Sequence, residues 1–531
     1  MRAVPPVPVS RLRWLHTCAD RLRARAGWKR ALSAFAYGAL ASLAFAPTDV
    51  APVLWVCFPA LIFLVQGTKN WRGAFAAGWC FAFGFFTFDL YWIAASMFVD
   101  LHRFWWAVPL AVAGLPAFFA LYYGIAAALA RRLGLQGLTG AVSFALLWFL
   151  ADYARGHLFT GFPWNIEGYA WAEILPVAQI VSMTGVYGLT LLTLLGACLP
   201  AALAEQPLRK SARESFLFSL VVLAGLTVWG SARLETATAA MVPGVRLRLV
   251  QPDIAESMKW DPARAARHFE RMLKLSAEPA AQKPNFIVWP ETAAVYPLED
   301  DALHRQEVAA LAPPGGAIIT GTLRRDFDAV GNPHYYNSLV AVDHAARIIA
   351  VYDKSHLVPF GEYVPYRKYL PIRPVAALGL DFSAGPGPRT LRIPHLPPFS
   401  PLICYEAIFS ETAVDPHDRP QFILNITNDG WYGDTTGPYQ HFTIASMRAI
   451  EEGMPLVRAA NTGISGVVDA YGRVRARLGL GKEGVIDSGL PVALPRPTFF
   501  GQYGEKPLWV FFIGLLVLVV AAKIRSAAMR K

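Results

Sequence analysis

The sequence predicts a polytopic α-helical membrane domain joined to an α/β domain, with a last transmembrane helix near the C-terminus. Of 531 residues, 54% are hydrophobic and 16% charged, which is too apolar for an ordinary soluble enzyme. Long apolar stretches fill most of residues 31–231, and about 20 apolar residues cross a bilayer core. From Val245 onward short apolar strands alternate with helical patterns, as in an α/β layer fold.

The chain starts with a basic tail, residues 1–30, which carries eight arginines or lysines against one acid. The next run ends in Ala44-Phe45-Ala46, which mimics a signal-peptide cleavage site. Because further apolar runs follow at once, we interpret it as an uncleaved first helix. Residues 155–173 are too broken for a straight span and predict a loop. We expect eight spans, near 31–46, 51–67, 73–98, 104–130, 138–154, 174–203, 214–231 and 507–522.

The distribution of positive charge predicts the topology. Basic residues occur in the tail, in alternate loops and after the last span, whereas the loops at 47–50 and 99–103 carry little positive charge. The positive-inside rule then places both termini in the cytoplasm and residues 232–506 outside it. The chain has a net charge of +11, and its lysines and arginines cluster beside apolar spans. This placement favours a membrane and excludes nucleic acid as a partner. Residues 507–531 form the last helix and a basic tail.

The α/β region, 232–506, contains period-two strands and helical patterns. Val245 to Val250 alternates, and Asp261-Pro262 is an N-cap and first-turn proline for a helix to about Ser276. Further helices are expected at 301–311 and 438–452. Further strands are expected at 285–290, 316–321, 336–342, 347–353, 399–403, 421–426 and 455–460, with hairpins from 463 to 489.

A single cysteine lies in the α/β region, because Cys18, Cys57, Cys80 and Cys198 all precede it. A disulfide framework or a zinc cluster built on cysteines is therefore excluded there. Cys404 ends a short apolar run and precedes a helical pattern. At such a junction, backbone N–H groups favour a thiolate and can hold an oxyanion. Taken alone, a lone cysteine is more often inert core.

Two more strands end in chemically active groups. Glu291 follows the strand at 285–290, and Lys354 follows the strand at 347–353, before a loop rich in proline and glycine. Taken alone, Glu291 is as readily a surface carboxylate, and Lys354 is more often a solvated lysine. Together, a carboxylate, an ammonium and a thiol at strand ends are what nucleophilic acyl transfer needs: a base, a charge stabiliser and a nucleophile.

The motifs around these residues resemble a known triad. WPE at 289–291, DK before PFGEYVP at 359–365, and CYE at 404–406 occur in the order of the Glu-Lys-Cys triad of the nitrilase (carbon-nitrogen hydrolase) superfamily. With membrane spans on both sides, the PFGEYVP and CYE versions are similar to the apolipoprotein N-acyltransferase family, which completes bacterial lipoproteins. The likeness extends to GFPWN at 161–165, NDGWYGD at 428–434 and GPYQH at 437–441.

This resemblance implies a four-layer α-β-β-α sandwich for the α/β region and roles for further residues. Glu291 is then the general base, Cys404 the nucleophile, and Lys354 with the Tyr405 amide the oxyanion site. Supporting or substrate-binding roles, including orientation of the lysine and proton transfer, fall to Trp260, Glu362, Tyr405 and Glu406. For Trp260 a core aromatic is an equal alternative to lipid positioning.

The resemblance also implies the reaction. An acyl group passes from a membrane phospholipid, phosphatidylethanolamine, through a thioester on Cys404 to the N-terminal S-diacylglyceryl cysteine of an apolipoprotein, in a ping-pong mechanism. No cofactor or metal is implied. The implied location is the bacterial inner membrane, with the catalytic domain facing the periplasm, and loops such as 155–173 and 357–388 gating the site.

Three alternative functions stay open, and one further residue is a site candidate. One is a membrane-tethered amidase that hydrolyses small amides, and another is a transporter or receptor whose outer domain only binds ligands. A Cys-His protease using His356 or His441 ranks below the triad, since lone histidines are usually structural. Asp89 lies in an apolar span, where an acid is a site candidate. The aromatic stretch from Phe81 to Trp92 predicts lipid-facing surface.

Overall fold

The computed structural model describes residues 13–205, 210–259, 261–370, 374–375 and 381–528. Trp260 and parts of the loop at 357–388 lie outside the described residues. The helices are α1 Arg13–Ala24, α2 Gly27–Ala41, α3 Leu54–Gln66, α4 Trp71–Asp89, α5 Ala95–Phe98, α6 Leu101–Phe104, α7 Leu115–Leu133, α8 Gly137–His157, α9 Leu175–Ala178, α10 Val181–Cys198, α11 Pro200–Leu203, α12 Lys210–Glu235, α13 Glu256–Lys259, α14 Pro262–Ser276, α15 Ala302–Leu311, α16 Gly437–Glu452, α17 Phe499–Tyr503 and α18 Lys506–Ala528.

Twelve strands form two six-stranded sheets in the described part of the chain. The strands are β1 Met241–Gln251, β2 Phe286–Val288, β3 Ala317–Phe327, β4 Pro333–Asp343, β5 Ile348–Asp353, β6 Leu391–Ile393, β7 Leu396–Ile403, β8 Phe422–Thr427, β9 Leu456–Ala460, β10 Ser465–Val468, β11 Val474–Leu478 and β12 Gly484–Pro491. Their order is β12-β1-β2-β3-β4-β5 in one sheet and β11-β10-β9-β8-β7-β6 in the other.

The helical membrane region contains fewer long helices than the eight expected spans. Among the described residues, five helices are long and apolar enough to cross a membrane, or six if α4 and the bent segment Tyr91–Phe98 form one span. The expected spans at 31–46 and 51–67 correspond to shorter helices, because α2 ends at Ala41 and the apolar helix Ala51–Gln66 has fewer than 18 residues. The count of eight therefore stays a prediction.

The α/β region is a four-layer α-β-β-α sandwich, which confirms the expected fold class. Apolar side chains from both sheets, such as Leu249 and Ile426, meet in one buried layer between them. Helix α14 packs Phe269 and Met272 on the outer face of the first sheet. Helix α16 packs Ala445 on the outer face of the second. Period-two alternation thus built two sheets that share an apolar interior.

Helix α16 connects the sandwich to the membrane helices. Fourteen of its side chains are buried. Ala445 and Ala449 face the second sheet, whereas Ile444 and Met447 join the core of the membrane region. A helix buried on opposite faces fixes the two parts of the chain against each other, because moving either part would expose apolar surface.

The structure corrects two predictions about the membrane region, one on aromatic side chains and one on Arg155. Phe81, Phe86 and Trp92 are buried inside the helical bundle, so the prediction that this stretch faces lipid is wrong for them. Arg155 lies inside helix α8 rather than in a loop, although residues 158–173 are irregular as expected. Its buried guanidinium donates hydrogen bonds of 2.7 and 2.8 Å to the carbonyls of Phe162 and Trp164, which hold this segment against the helix.

Candidate active site

Three strands bring the predicted catalytic residues to one cavity. Glu291 follows β2 and Lys354 follows β5 in the first sheet, and Cys404 follows β7 in the second. All three side chains line a single cavity of about 1040 Å³. They are also nearly inaccessible, with exposed fractions of 6%, 1% and 5%. Strand ends that point the same way in facing sheets therefore assemble a buried carboxylate, ammonium and thiol.

The backbone at Cys404 is strained. Its φ is +51°, in the left-handed region that non-glycine residues rarely adopt. Such conformations persist only where surrounding contacts impose them, and they cluster at functional sites. Glu406 supplies the contact, since its Oε2 accepts a hydrogen bond of 2.7 Å from the Ile403 amide. The turn Cys404–Ile408 thereby aims the thiol away from the strand and into the cavity.

Glu406 also holds the strand end that carries the lysine. Its Oε1 accepts hydrogen bonds from the Ser355 amide at 2.7 Å and the Tyr352 hydroxyl at 2.8 Å. Its carboxylate thus links the backbone just after Lys354 to the backbone just before Cys404. The contacts support the expected orienting role, but they engage backbone and hydroxyl groups rather than the Lys354 ammonium.

Lys354 lies between two carboxylates. Its Nζ is 2.9 Å from Glu362 and 3.6 Å from Oε1 of Glu291. Burial disfavours the ammonium, but the charges of Glu362 and Glu291 outweigh that effect and raise the pKa of Lys354. The lysine therefore stays cationic in the closed site. Burial of an ion pair is costly unless its partners are also hydrogen-bonded, as they are here.

Asn337 completes this ion-pair network, and sequence reasoning missed it. Its Nδ2 donates to Oε1 of Glu291 at 2.7 Å and to Oε1 of Glu362 at 2.9 Å. The Asn428 amide donates to the other oxygen of Glu291 at 2.9 Å. Burial nevertheless raises the pKa of Glu291, although the Lys354 charge opposes the shift. A base with a raised pKa is suited to receive and return a proton near neutral pH. A polar residue inside the apolar strand at 336–342 was the available signal for Asn337.

The thiol is neutral at rest, contrary to the expectation of a favoured thiolate. Burial, together with the Glu291 carboxylate, raises the pKa of Cys404 to about 12, and the Lys354 charge only partly offsets this. The Tyr432 hydroxyl lies 3.8 Å from the sulfur. Enclosure in protein outweighs the stabilising effect expected from nearby backbone N–H groups. The nucleophile therefore requires a base.

His441 lies near the cysteine, but its ring is otherwise engaged. The Cys404, Asp429 and His441 side chains lie within 4.8 Å of one another. However, Nδ1 of His441 is 2.8 Å from Asp429, and Nε2 is 3.2 Å from the Cys404 carbonyl oxygen. Asp429 also receives a hydrogen bond of 2.8 Å from Arg458. This arrangement braces the backbone of Cys404, whereas His356 contacts the Thr160 carbonyl. Neither histidine is placed as the base of a Cys-His pair.

Much of the remaining cavity wall is apolar, and a large part of it comes from the membrane helices. Side chains near α4, α6 and α7 line it, among them Trp92, Phe104, Phe118 and Phe119. Ligand pockets usually occupy about 300–1,000 Å³, so this volume is at the upper end. One end of the cavity thus carries the charged candidate residues, and the other is suited to a hydrocarbon chain.

A polar joint holds that wall against the α/β domain. Gln440 of α16 accepts hydrogen bonds from the indoles of Trp92 at 3.1 Å and Trp164 at 2.8 Å. Its amide donates to Asp89 at 3.3 Å, and Asn165 donates to the same oxygen at 2.7 Å. Asp89 ends α4 and is buried at this joint, so it anchors the membrane helices rather than facing the catalytic thiol.

The other supporting residues differ in how far the structure describes them. The Tyr405 hydroxyl donates a hydrogen bond of 2.8 Å to the Gly161 carbonyl, which links the turn after the cysteine to the GFPWN segment. Trp260 lies outside the described residues. Lys259, which sequence reasoning did not single out, is buried and donates a hydrogen bond of 3.1 Å to the backbone carbonyl of Glu291.

The chain is similar to known proteins over most of its length. A family profile described as "Apolipoprotein N-acyltransferase N-terminal domain" matches residues 37–199, and one described as "Carbon-nitrogen hydrolase" matches residues 246–497. Apolipoprotein N-acyltransferases from Rhodopseudomonas palustris and Bradyrhizobium diazoefficiens are each 41% identical over 515 residues, covering 94% of this chain and 96% of each relative. The corresponding protein of Brucella melitensis is 38% identical over 514 residues, covering 94% of this chain and 96% of that protein.

Solved structures give a weaker likeness. A mutant amidase of the nitrilase superfamily from Nesterenkonia AN1 is 19% identical, with a TM-score of 0.37. The match covers 51% of this chain and 99% of the amidase.

Proposed function

Because the chain belongs to the apolipoprotein N-acyltransferase family, we propose that it moves a fatty acyl group from a membrane phospholipid to the N-terminal S-diacylglyceryl cysteine of an apolipoprotein. One observation carries this proposal. The cavity that holds the buried Glu291, Lys354 and Cys404 is continuous with apolar side chains of the membrane helices. A phospholipid can therefore leave its acyl chain among apolar groups while its ester carbonyl meets the thiol.

In the first half-reaction, Glu291 takes the thiol proton and the Cys404 sulfur attacks the ester carbonyl. The Lys354 ammonium and the Tyr405 amide stabilise the negative charge on the tetrahedral oxygen. The C–O bond then breaks, and Glu291 returns the proton to the leaving alkoxide. A lysophospholipid departs and a thioester on Cys404 remains. The hydrogen bonds from Asn337 and Asn428 support this role, because they keep the Glu291 carboxylate oriented throughout.

In the second half-reaction, the free α-amino group of the lipidated cysteine attacks the thioester carbonyl. Glu291 takes a proton from the nitrogen, the C–S bond breaks, and the departing sulfur is protonated again. Closing the site against water favours the amine over hydrolysis. The buried positions of all three catalytic residues support this exclusion.

The acyl donor and the orientation of the chain in the membrane are part of the same proposal. We propose phosphatidylethanolamine as the donor, in the inner membrane of a bacterium, with residues 1–30 in the cytoplasm. Residues 31–231 then form the membrane domain, 232–506 the periplasmic catalytic domain, and 507–531 the last helix and basic tail. The alternate placement of basic residues supports this orientation.

Exposure of the purified protein to phosphatidylethanolamine alone, without an acceptor, tests the two-step scheme. Intact-mass spectrometry should show one added acyl group per chain, sensitive to hydroxylamine, together with released lysophospholipid. The Cys404→Ala variant should insert and fold but show no adduct. Acyl transfer to a lipopeptide without any adduct would disprove the scheme, and acylation by the alanine variant would remove Cys404 as the nucleophile.

A companion measurement separates the proposal from small-amide hydrolysis. Incubation with small aliphatic amides should release no ammonia, because the apolar wall favours a hydrocarbon chain over a small polar substrate. Ammonia release without a need for lipid would favour an amidase instead.

A further inference from the structure

A second group of ionisable side chains lies outside the catalytic cavity. His157 ends α8, Glu411 follows the turn that carries the catalytic cysteine, and Glu505 immediately precedes α18. One nitrogen of the histidine and one oxygen of each carboxylate lie within 4.8 Å of one another. The catalytic scheme uses none of these residues.

Glu505 is buried without a well-aligned hydrogen-bond donor. Its exposed fraction is 8%, and within the described residues neither carboxylate oxygen accepts a hydrogen bond of normal geometry, although the Tyr153 hydroxyl and Glu411 interact with the carboxylate. Burying a carboxylate without a partner costs several kcal/mol, so native proteins pair such groups or use them to bind metals. The polar groups near it are the Tyr153 hydroxyl, Glu411 and His157. Two of its three neighbours therefore present the groups that ligate divalent cations.

The histidine is oriented as metal ligands usually are. Its Nδ1 lies 2.7 Å from the Tyr153 carbonyl oxygen, and the ring stacks on that tyrosine with the centroids 3.9 Å apart. An Nδ1 contact with a backbone carbonyl is the usual outer contact of a ligating histidine, and it turns Nε2 towards the carboxylates. That Nε2 lies 3.5 Å from an oxygen of Glu411.

The 3.5 Å between Nε2 of His157 and the Glu411 oxygen suits a cation that both atoms bind. Nε2 of His157 and the Glu411 oxygen form an ion pair when the ring is protonated, and a metal cation bound between them can take the place of that proton. Zinc binds nitrogen and oxygen at about 2.0–2.2 Å, so two ligands of one tetrahedral ion lie about 3.4 Å apart. A cavity of about 150 Å³, lined by His157 and Glu411, adjoins the group and leaves room for water ligands.

We propose that His157, Glu411 and Glu505 form a divalent-metal site that binds Zn²⁺ and ties three distant segments together. One imidazole and two carboxylates are a ligand set that zinc accepts. The bound ion joins the end of α8, the segment after the catalytic turn and the start of α18. It thereby fixes the turn that carries Cys404 against the two membrane helices.

Zinc titration of the full-length, untagged protein in detergent micelles tests this site. The protein carries Cys404→Ser, because the Cys404 thiol lies beside Asp429 and His441 and the three could also bind zinc. Any chelator is removed before calorimetry. One zinc per chain should bind, and zinc should raise the Tm. His157→Asn and Glu505→Gln should each weaken binding by about tenfold or more. Glu270→Gln, at an exposed carboxylate outside the group, should change neither value.

His157 is partly exposed, so its substitution keeps the test informative if the Glu505 variant fails to fold. Absence of saturable binding to the parent protein would overturn the proposal and favour a proton shared by the two carboxyl groups. Equal affinity in the parent protein and the folded His157→Asn variant would also overturn it.

Discussion

Replacement of Glu291 by glutamine tests the base directly, because the structure gives the resting state of its partner. Burial raises the pKa of the Cys404 thiol to about 12, so at pH 8 about one thiol in 10⁴ is ionised. Reaching the thiolate without a base therefore costs about 5 kcal/mol. The Glu291 carboxylate itself contributes to the raised pKa, so its removal lowers that cost. We expect acyl-enzyme formation to slow by about 10²- to 10⁴-fold.

The pH dependence distinguishes a lost base from a damaged site. Wild-type rates should fall at low pH, as protonation of Glu291 at its raised pKa removes the base, and should level off above that pKa. In the glutamine variant, the rate should instead rise about tenfold per pH unit below the pKa of the thiol, since it follows the ionised fraction of Cys404.

Rapid mixing with phosphatidylethanolamine micelles, acid quenching and intact-mass analysis measure the acyl-enzyme across this pH range. Glu270→Gln serves as the matched control, because it removes an exposed carboxylate far from these contacts. A variant with the wild-type rate at pH 7, or a slow variant with no dependence on pH, would refute the role of Glu291 as the base.

Two buried polar side chains, Asn337 and Arg155, give further predictions. Asn337→Leu removes hydrogen bonds to both Glu291 and Glu362, each worth about 1.5–3 kcal/mol, and should lower both the acylation rate and the Tm. An unchanged rate would exclude this bridge from the reaction. Arg155→Met leaves two loop carbonyls and Asp152 without their buried donor, and should destabilise the protein by about 3–5 kcal/mol. Thermal unfolding in detergent measures this, and a Tm equal to wild type would contradict it.

The cavity explains why a nitrilase-like sandwich is joined to membrane helices. A cysteine hydrolase needs only the charged end, where Lys354 and Glu291 lie. Here the other end is formed by Trp92, Phe118 and Phe119 from the helical region. Burial of a hydrocarbon chain is worth about 0.8 kcal/mol per CH₂ group, so a long acyl chain gains most of its binding free energy in that half. The two domains therefore build one substrate site that neither contains alone.

Most of the sandwich could be predicted because its signals are local. Strands ending before Glu291, Lys354 and Cys404 appear in the sequence as short apolar runs, and the structure has a strand at each place. The helices α14 and α16 also begin and end close to the expected residues. The span count was less accessible, since helices inside a packed bundle need not reach full bilayer length when protein surrounds them.

What the sequence by itself determined is the set of elements and the identity of the catalytic candidates, because periodicity and strand ends are properties of neighbouring residues. The tertiary structure alone decided which distant groups form hydrogen bonds with these candidate residues. Glu291 meets the amide of Asn428, 137 residues later, and Gln440 meets Asp89 across 351 residues. The raised pKa of the thiol and the burial of Glu505 arise in the same way. Burial and hydrogen bonding depend on which distant segments pack together, and no local pattern of residue types encodes that choice.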